Sequence, residues 1–320
     1  MNKIISYFSW LAKYYLGFIF AFELLILKDR LNRKNKTYIL LYHRITDDDD
    51  AKKISYPLDA GLISKKEFEW QMRYLSKKYQ IVSLKNLVLS LKNKKKLSSV
   101  SIAITFDDGY KDNYLNAYPI LKKYNIPATI FLVSDYIGTN KIFWWDKVTY
   151  VLRYNKLAKK RIKKDFLIHK ILVDLRKLDE IKREKIIEDL VNKSNISLAK
   201  IQKSNPVLSW DEIKKMNECR LIDFASHTKT HPLLTKLENY QLKEEIYNSK
   251  LEIEKRLGKK IYFFAYPYSE ANQSIKTAAK KAGYLAAFFA DINQEDKLNK
   301  LFSLKRIVPL EGLTWIKKII

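Results

Sequence analysis

The chain has little cysteine and little histidine, with one cysteine and four histidines among 320 residues. A single cysteine excludes an intrachain disulfide, and this absence fits a reducing compartment. Cys219 lies among helix-forming residues, so we interpret it as a buried or idle thiol rather than a nucleophile. Because histidine is scarce, any place where two histidines fall close together in the sequence is informative about metal binding.

Acidic residues are also scarce relative to basic ones. The chain has 35 aspartates and glutamates against 61 lysines and arginines, which gives a formal net charge of +26. Such a surface attracts polyanions, namely nucleic acid, an anionic membrane face or an acidic glycan. No stretch interleaves basic and aromatic residues as nucleic-acid-binding modules do. We therefore predict no nucleic-acid role and expect an anionic membrane surface as a partner; the alternative is a lysine enrichment without a function.

A long uninterrupted apolar run is absent as well. Residues 4–27 are apolar and aromatic, but Lys13 and Glu23 interrupt them, so they make a borderline membrane span. A signal peptide requires a cleavage site made of small residues, and none follows this segment, so a cleaved signal peptide is not favoured. Basic residues at positions 28–36 outweigh Lys3, and this bias favours a cytoplasmic location for the rest of the chain. We predict that residues 1–36 associate with the membrane, as a span or an interfacial helix; the alternatives are an extracytoplasmic, membrane-anchored chain and a helix packed on the domain.

Residues 100–110 (VSIAITFDDGY) carry the first candidate site. The β-branched run up to Phe106 predicts a buried strand, which ends at two adjacent carboxylates and a glycine. Neighbouring side chains on a strand point to opposite faces, so Asp107 and Asp108 converge on one cavity only if the backbone turns, which Gly109 permits. The pair suits a shared proton, or a metal with a separate base. The alternative is an ordinary Asp-Asp-Gly hairpin turn.

Residues 226–232 (SHTKTHP) carry the second candidate site, and they follow another apolar segment. His227 and His231 are four positions apart, a spacing from which two histidines can reach one metal ion. Together with one aspartate they form a two-histidine, one-carboxylate set that leaves coordination positions open for water and substrate. The second stretch therefore favours a metal site over a hairpin turn at the first.

The chain alternates predicted strands with predicted helices, the latter including residues 113–124 and 239–257. This order predicts an α/β fold, a distorted or incomplete (β/α) barrel with the site at the C-terminal ends of the strands. We assign residues 37–320 to this domain. Residues at about 147–205 are lysine-rich, poor in glycine and helix-like, so we interpret them as an inserted helical segment. His169 falls in that segment, and we expect it to lie away from the motifs and to bind no metal.

Three motifs carry a resemblance to a known family: residues 105–110 (TFDDGY), 226–232 (SHTKTHP) and 264–268 (FAYPY), in that order. In these motifs the chain resembles the polysaccharide deacetylases, carbohydrate esterase family 4 with the NodB homology domain, over roughly positions 38–308. It is similar in particular to the branch that acts on poly-N-acetylglucosamine. The resemblance implies removal of N-acetyl or O-acetyl groups from glycans with the help of a divalent metal, expected to be Zn²⁺.

The resemblance also implies roles for individual residues. Asp108, His227 and His231 are expected to hold the metal, and Asp107 is expected to act as the general base. The backbone N–H of Tyr268, in the turn that the third motif forms, is expected to complete an oxyanion hole.

The chain departs from the family pattern at several positions. The arginine that many members have before the Pro-Tyr turn is missing, and Arg306 is our candidate to orient the base instead. The usual leaving-group histidine near the C-terminus is missing too, because no histidine follows His231. The poly-N-acetylglucosamine branch supplies a histidine from the first strand, in a context like Tyr42-His43, so we assign the general acid to His43. Ser269 replaces a frequent glycine, which we expect to alter the loop.

The predicted function is a metal-dependent hydrolase that removes N-acetyl groups from N-acetylhexosamine residues of a cell-surface polysaccharide or its lipid-linked precursor. Residues 143–146 (FWWD) suit either stacking on a sugar ring or packing in the core. Two alternatives to the hydrolase remain open. One is a non-catalytic carbohydrate-binding partner in glycan assembly, and the other is an O-acetyl esterase on the same scaffold.

Overall fold

The computed structural model of the chain describes residues 36–47, 62–95, 97, 100–154, 161–194, 196–204, 206–290, 301–310 and 315. Residues 1–35 of the predicted membrane-associating segment lie outside these ranges. Within the ranges, no helix has both the length and the apolar character needed to cross a bilayer.

Parallel strands form a central sheet and a separate two-stranded sheet. The strands are β1 (Thr37–Tyr42), β2 (Arg44–Thr46), β3 (Leu62–Ser64), β4 (Gln80–Ile81), β5 (Ser101–Phe106), β6 (Ala128–Leu132), β7 (Ile222–Ser226), β8 (Phe263–Ala265), β9 (Ala286–Ala290) and β10 (Leu304–Arg306). The sheet runs in the order β1-β5-β6-β7-β8-β9-β10, with β4 beside the start of β5 and with β2 and β3 paired separately. Ile307 then bonds back to β1, accepting from Leu41 N–H and donating to Ile39 O, each at 2.8 Å. The sheet therefore nearly closes into a barrel, which confirms the predicted fold class.

Helices surround the barrel. They are α1 (Lys65–Lys78), α2 (Leu84–Lys92), α3 (Tyr118–Lys123), α4 (Trp144–Tyr154), α5 (Arg161–Lys177), α6 (Glu180–Lys193), α7 (Leu198–Ser204), α8 (Trp210–Glu218), α9 (Asn239–Lys243), α10 (Ser249–Leu257) and α11 (Gln273–Lys281). Side-chain caps begin several of them: Ser209 and Glu212, for example, form a reciprocal capping box at the start of α8. The predicted helix over 113–124 starts with a π turn, Asn113–Ala117, and the one over 239–257 contains a second, Glu244–Asn248.

The alternation of side chains along the strands creates two apolar layers. Ile102, Ile104 and Phe106 of β5 pack under the helices. Ala103 instead belongs to a second buried cluster, in which small alanines accompany the large rings of Phe131 and Phe288. Since Asp107 follows Ala103 at an even spacing, the strand register directs its side chain toward this second cluster.

Four helices, α4–α7, occupy the region predicted to be a helical segment, and we call them the helical insertion. They have an apolar cluster of their own, which includes Val148, Ile168, Leu172 and Ile187. Tyr268, from the barrel, packs against this cluster. The insertion therefore contacts the third sequence motif directly, and the functional site depends on that contact.

Candidate active site and metal-binding site

A cavity of about 350 Å³ opens where the strands carry the sequence motifs, and we call it the site cavity. Its lining includes every residue to which the sequence assigned a catalytic or metal-binding role. The lining residues are His43, Asp107, Asp108, Trp144, Trp145, His169, Leu172, Val173, Arg176, His227, His231, Tyr266, Tyr268, Ser269, Ala290, Arg306 and Val308. All four histidines of the chain are among them.

Three buried side chains converge on one point of the site cavity. Asp108 follows β5, whereas His227 and His231 follow β7. The Nε2 atoms of both histidines lie 3.6 Å from Asp108 Oδ1. One ligand atom from each of the three residues falls within 4.8 Å of the other two. The structure thus brings together the three residues predicted to hold a metal.

The hydrogen bonds of these groups and the neutral state of the two histidines fit a divalent metal ion, whose charge would offset the burial and the Asp107 charge that raise the pKa of Asp108. His227 Nδ1 lies 2.9 Å from the carbonyl oxygen of Ala265, and a proton on Nδ1 leaves the Nε2 lone pair facing Asp108. Burial lowers the pKa of His227 and, more strongly, that of His231, so both rings are neutral as metal ligands must be. Asp108 Oδ1 is buried and has no hydrogen-bond partner among the described residues, as expected of an atom that faces a cation.

A backbone turn after β5 separates the two carboxylates. Asp108 has a φ of 72°, in the left-handed region, and Gly109 follows with the same value. The left-handed conformation favours glycine at position 109, and a Cβ atom there would also displace the end of the Ile137 side chain, whose Cδ1 would lie 2.9 Å away. The predicted turn is present, and it places Asp108 beside the histidines while Asp107 stays in line with the strand.

Asp107 forms a bidentate ion pair with Arg306 from β10. Arg306 Nη1 donates to Asp107 Oδ1 at 2.7 Å and Nη2 donates to Oδ2 at 2.6 Å. Burial raises the pKa of Asp107, but Arg306, His227 and His43 outweigh it, and the net pKa is below the ordinary value. Asp107 is therefore ionised at neutral pH. Arg306 thus contacts Asp107 as the sequence proposed, and its role in orienting a base stays a prediction.

Glu245, in the second π turn, holds the loop that carries the two histidines. Its Oε2 accepts hydrogen bonds from the backbone N–H groups of Lys229 and Thr230 at 2.8 and 2.9 Å. Its Oε1 accepts from Thr230 Oγ1 at 2.7 Å. His231 has a φ of 62°, and Thr228 Oγ1 accepts from its N–H at 2.9 Å. The loop conformation that aims both imidazoles at Asp108 thus depends on a carboxylate that the sequence motifs do not include.

The chain was compared with models of known protein families, and one family model covers the candidate metal ligands and Asp107. The family model described as polysaccharide deacetylase matches residues 94–287, more than half of the chain and a range that contains Asp107, Asp108, His227 and His231. The chain belongs to the polysaccharide deacetylase family. The resemblance inferred from the three motifs is therefore confirmed.

Curated relatives of this family member match shorter stretches. A Bacillus subtilis (strain 168) protein, YxkH, whose name assigns it provisionally to the polysaccharide deacetylases, is 42% identical over 104 residues, 32% of this chain and 34% of the relative. A poly-beta-1,6-N-acetyl-D-glucosamine N-deacetylase of Staphylococcus aureus is 32% identical over 124 residues, 37% of this chain and 42% of the relative. The chain therefore spans between a third and a half of the length of these relatives.

Solved structures of the family extend the similarity to most of the fold. The deacetylase PplD of Streptococcus pyogenes, solved in complex with acetate, is 19% identical with a TM-score of 0.60, covering 89% of this chain and 97% of that one. IcaB from Ammonifex degensii is 18% identical with a TM-score of 0.59, covering 90% and 97%. At this identity the comparison establishes the fold.

His43, the predicted general acid, follows β1 and lines the site cavity. Asn113 Nδ2 donates to its carbonyl oxygen at 2.8 Å and fixes its backbone. Burial is the main cause that lowers the pKa of His43 to about 4. The charge of Asp107 raises this pKa, whereas the charge of Arg306 lowers it further. At neutral pH this imidazole therefore carries no excess proton before a reaction begins. Any proton that it donates must reach it during turnover.

The turn of the third motif lies beside the metal-binding histidines. The Tyr268 ring is 4.7 Å from the His231 ring, measured between centroids. Tyr268 and Ser269 have φ values of 56° and 55°, so serine adopts the left-handed conformation that favours glycine. Ser269 Oγ accepts from Ala290 N–H at 2.6 Å, which ties the turn to β9. This hydrogen bond stabilises Ser269 in a conformation that glycine favours. The expected change of loop shape stays a prediction.

The aromatic cluster at 143–146 is divided between the core and the site cavity, and its stacking on a sugar ring stays a prediction. Phe143 is buried and stacks on Trp145 at a centroid distance of 4.5 Å. Trp144 and Trp145 line the site cavity, and the Trp145 ring lies 4.8 Å from that of His231. Trp145 Nε1 donates to the Tyr110 hydroxyl at 2.9 Å. One ring of the cluster therefore packs in the core while two face the cavity.

Two residues of the helical insertion line the site cavity although the sequence did not predict this. The expectation that His169 lies away from the motifs is wrong, because α5 packs so that this residue lines the site cavity. Arg176, one heptad further along the same helix face, lines it too and lies 4.6 Å from the centroid of the Tyr268 ring. The spacing of seven residues was visible in the sequence. The packing of α5 against the barrel was not.

Proposed function

We propose that the protein is a metal-dependent hydrolase that removes N-acetyl groups from N-acetylhexosamine residues of a cell-surface polysaccharide or of its lipid-linked precursor. The observation that carries this proposal is the ionised Asp107, paired with Arg306, beside the buried Asp108, His227 and His231. The poly-N-acetylglucosamine deacetylase activity named for the Staphylococcus aureus relative supports the choice of substrate class.

Each group has a task in the hydrolysis of an acetamide. A bound divalent metal, which we propose to be Zn²⁺ on Asp108, His227 and His231, supplies Lewis acidity toward water and the acetyl carbonyl. Asp107 accepts the proton of the attacking water, because its lowered pKa keeps it ionised. Water adds to the carbonyl carbon, the carbon–nitrogen bond breaks, and acetate and a free amine leave.

The oxyanion and the leaving amine require two further groups. The backbone N–H of Tyr268 donates a hydrogen bond to the oxygen on which negative charge develops. His43 delivers the proton to the amine nitrogen. Because its pKa is about 4, His43 holds no excess proton before the reaction. It therefore receives, within the same turnover, the proton that Asp107 took from water, and it passes that proton to the amine.

The charge distribution supports a location at an anionic membrane surface. The net charge of +26 and the apolar, basic-flanked residues 1–36 favour association with anionic lipid, with the catalytic domain on the cytoplasmic face. A membrane-bound enzyme would meet a lipid-linked precursor at the surface where it is assembled. An extracytoplasmic, membrane-anchored arrangement would suit the finished polysaccharide instead.

The test combines metal analysis with acetate release by the full chain. We expect near-stoichiometric metal in the wild type, loss of that metal in His227→Ala, and metal-dependent release of acetate from N-acetylglucosamine oligomers. Asp107→Asn should retain the metal and lose roughly 100-fold or more of the rate, whereas the exposed Asp189→Asn should match the wild type.

The remaining outcomes identify the alternatives. Acetate released from O-acetylated but not N-acetylated oligomers would indicate the esterase. Glycan binding without metal or acetate release would indicate the non-catalytic carbohydrate-binding partner, and full activity of Asp107→Asn would refute the assigned base.

A further inference from the structure

The turn at Tyr268 is held in an unfavourable backbone conformation. Tyr268 and Ser269 are consecutive non-glycine residues with positive φ, which costs free energy at each position. Such a conformation persists only where neighbouring groups stabilise it. Ser269 has its own hydrogen bond to Ala290 N–H on the barrel. The stabilisation of Tyr268 comes from elsewhere.

Side chains from three helices of the insertion surround Tyr268. Trp144 Nε1, on α4, donates to the Tyr268 hydroxyl at 2.9 Å. The Arg176 guanidinium, on α5, lies over the ring, with Cζ 4.6 Å from the centroid. Arg183, on α6, lies 5.1 Å over the Trp144 ring and thus supports the hydrogen-bond donor from behind. The helical insertion therefore fixes both the ring and the hydroxyl of this residue.

Arg176 also contacts the residue that follows the turn on its C-terminal side. Its Nη2 forms an ion pair with Glu270 Oε1, so one guanidinium contacts both Tyr268 and the residue that ends the turn. The two side chains of this pair are 34% and 42% exposed. Exposed pairs contribute little to overall stability. The geometry therefore assigns this pair a local effect, on the shape of the turn.

We propose that Arg176 of the helical insertion is a positioning residue that holds the Tyr268 turn in its reactive conformation. The proposal rests on the proposed function, since it assumes that the Tyr268 N–H faces the developing oxyanion. A misplaced oxyanion donor weakens binding of the transition state more than binding of the substrate. Loss of Arg176 should consequently lower kcat and leave KM and metal content nearly unchanged.

The experiment compares Arg176→Ala and Arg176→Lys with Lys177→Ala in the metal-loaded full chain. Lys177 is the matched control because it neighbours Arg176 and its ammonium pairs with the exposed Asp174 on the same helix. We expect Arg176→Ala to lose about 10- to 100-fold in kcat, with KM within about threefold. Arg176→Lys should lose less, because it keeps a cation over the ring. Added guanidinium ion should restore part of the Arg176→Ala rate.

Hydrogen exchange gives a readout that does not require activity. In the native turn Ser269 N–H donates to Tyr266 O at 3.1 Å and Glu270 N–H donates to Pro267 O at 3.3 Å. Arg176→Ala should accelerate exchange at these two amides and leave the barrel strands unchanged. If wild-type protein releases no acetate, the proposed function fails while exchange still decides the role of Arg176.

Two results would overturn the proposal. One is that Arg176→Ala matches Lys177→Ala in kcat and in exchange at the turn. The other is faster exchange throughout the barrel without rescue by guanidinium, which would assign Arg176 a role in general stability.

Discussion

Asp107 and Arg306 form an ion pair in the barrel interior, and each side chain needs the opposite charge of the other to remain charged while buried. A buried carboxylate without a partner would take up a proton, and a buried guanidinium without a partner would destabilise the fold. The guanidinium carbon lies 5.0 and 5.9 Å from the ring centroids of Phe131 and Phe288, which keep water away. The ion pair therefore keeps Asp107 ionised in a site that would otherwise favour the neutral acid.

Replacement of Arg306 should shift the pH dependence of the reaction. Asp107 must be ionised to act as a base, and Arg306 lowers its pKa. In Arg306→Gln the pKa of Asp107 rises, so activity should be lost at a higher pH on the acidic side of the kcat/KM profile, by at least about one pH unit. Arg306→Lys keeps a positive charge without the bidentate contact and should show a smaller shift.

Arg256→Gln is the matched control for this pH profile, because Arg256 pairs with Glu252 on the surface of α10. Its profile should coincide with that of the wild type. An unshifted acidic limb in Arg306→Gln would mean that a group other than Asp107 is the base.

The two histidines outside the metal set should separate by their kinetics. His43→Gln should lower kcat by roughly 100-fold at unchanged metal content, because a proton donor to the amine is lost. His169→Gln should leave kcat within about threefold, because the proposed reaction assigns no proton transfer to His169, although it lines the site cavity. Steady-state acetate release by the two metal-loaded variants checks both expectations. The reverse pattern, with the kcat loss in His169→Gln, would transfer the role of general acid to His169.

The loop after β7 is an element whose shape depends on a single carboxylate in another element. Glu245 accepts three hydrogen bonds from Lys229 and Thr230, and it lies in a π turn within the long helix that follows. A π turn changes which side chains a helix directs toward its neighbours, and such turns are frequent at functional sites. The irregular helix therefore shapes the loop that carries two of the candidate metal ligands.

Removal of that carboxylate should weaken metal binding without removing a ligand. We expect Glu245→Ala to bind metal about 10- to 100-fold more weakly, because the loop amides lose the acceptor that orders them. Glu244→Ala is the matched control, since Glu244 is exposed and lies 4.0 Å from Lys229 Nζ. Metal titration of the apoprotein measures both affinities, and equal affinities would show that the loop orders itself.

The strands, the caps and the grouping of the candidate metal ligands could be predicted from the sequence because each leaves a local signal. The Asp-Asp-Gly strand end and the pair of histidines are short-range patterns, and the fold places both at one edge of the sheet. Ser209 and Glu212 likewise form the capping box that their spacing allows. These features depend on neighbours within a few residues along the chain.

The rest of the site depends on packing between distant elements, and short-range patterns do not reveal it. Glu245 contacts a loop fifteen or sixteen residues earlier because a π turn rotates it there. His169 and Arg176 lie on an ordinary basic helix whose docking on the barrel makes them cavity residues. Arg306 was proposed only because the family's usual arginine is missing from this chain. Its contact with Asp107 spans 199 positions.

The metal-binding set connects separate parts of the barrel, so bound metal should stabilise the whole molecule. Asp108 follows β5 and the two histidines follow β7, with β6 between them. A ligand at 100 times its Kd stabilises the folded state by about 2.7 kcal/mol, which for a domain of this size raises Tm by roughly 4–5 °C. A chelator should therefore lower Tm by that amount, as thermal unfolding can measure. His231→Ala should melt at the same temperature with and without chelator.

Residue order along the chain separates metal binding from catalysis. Asp108, His227 and His231 all precede β8, whereas the guanidinium that ionises the base arrives only with β10, the strand whose continuation bonds to β1. During synthesis from the N-terminus, the ligands emerge before the group that makes their neighbour reactive. A growing chain can therefore present its candidate metal ligands before the Asp107–Arg306 ion pair can form. The buried form of Asp107 keeps its charge only once the last strand has paired. Under the proposed function, the pairing of the last strand is therefore the folding step that completes the active site.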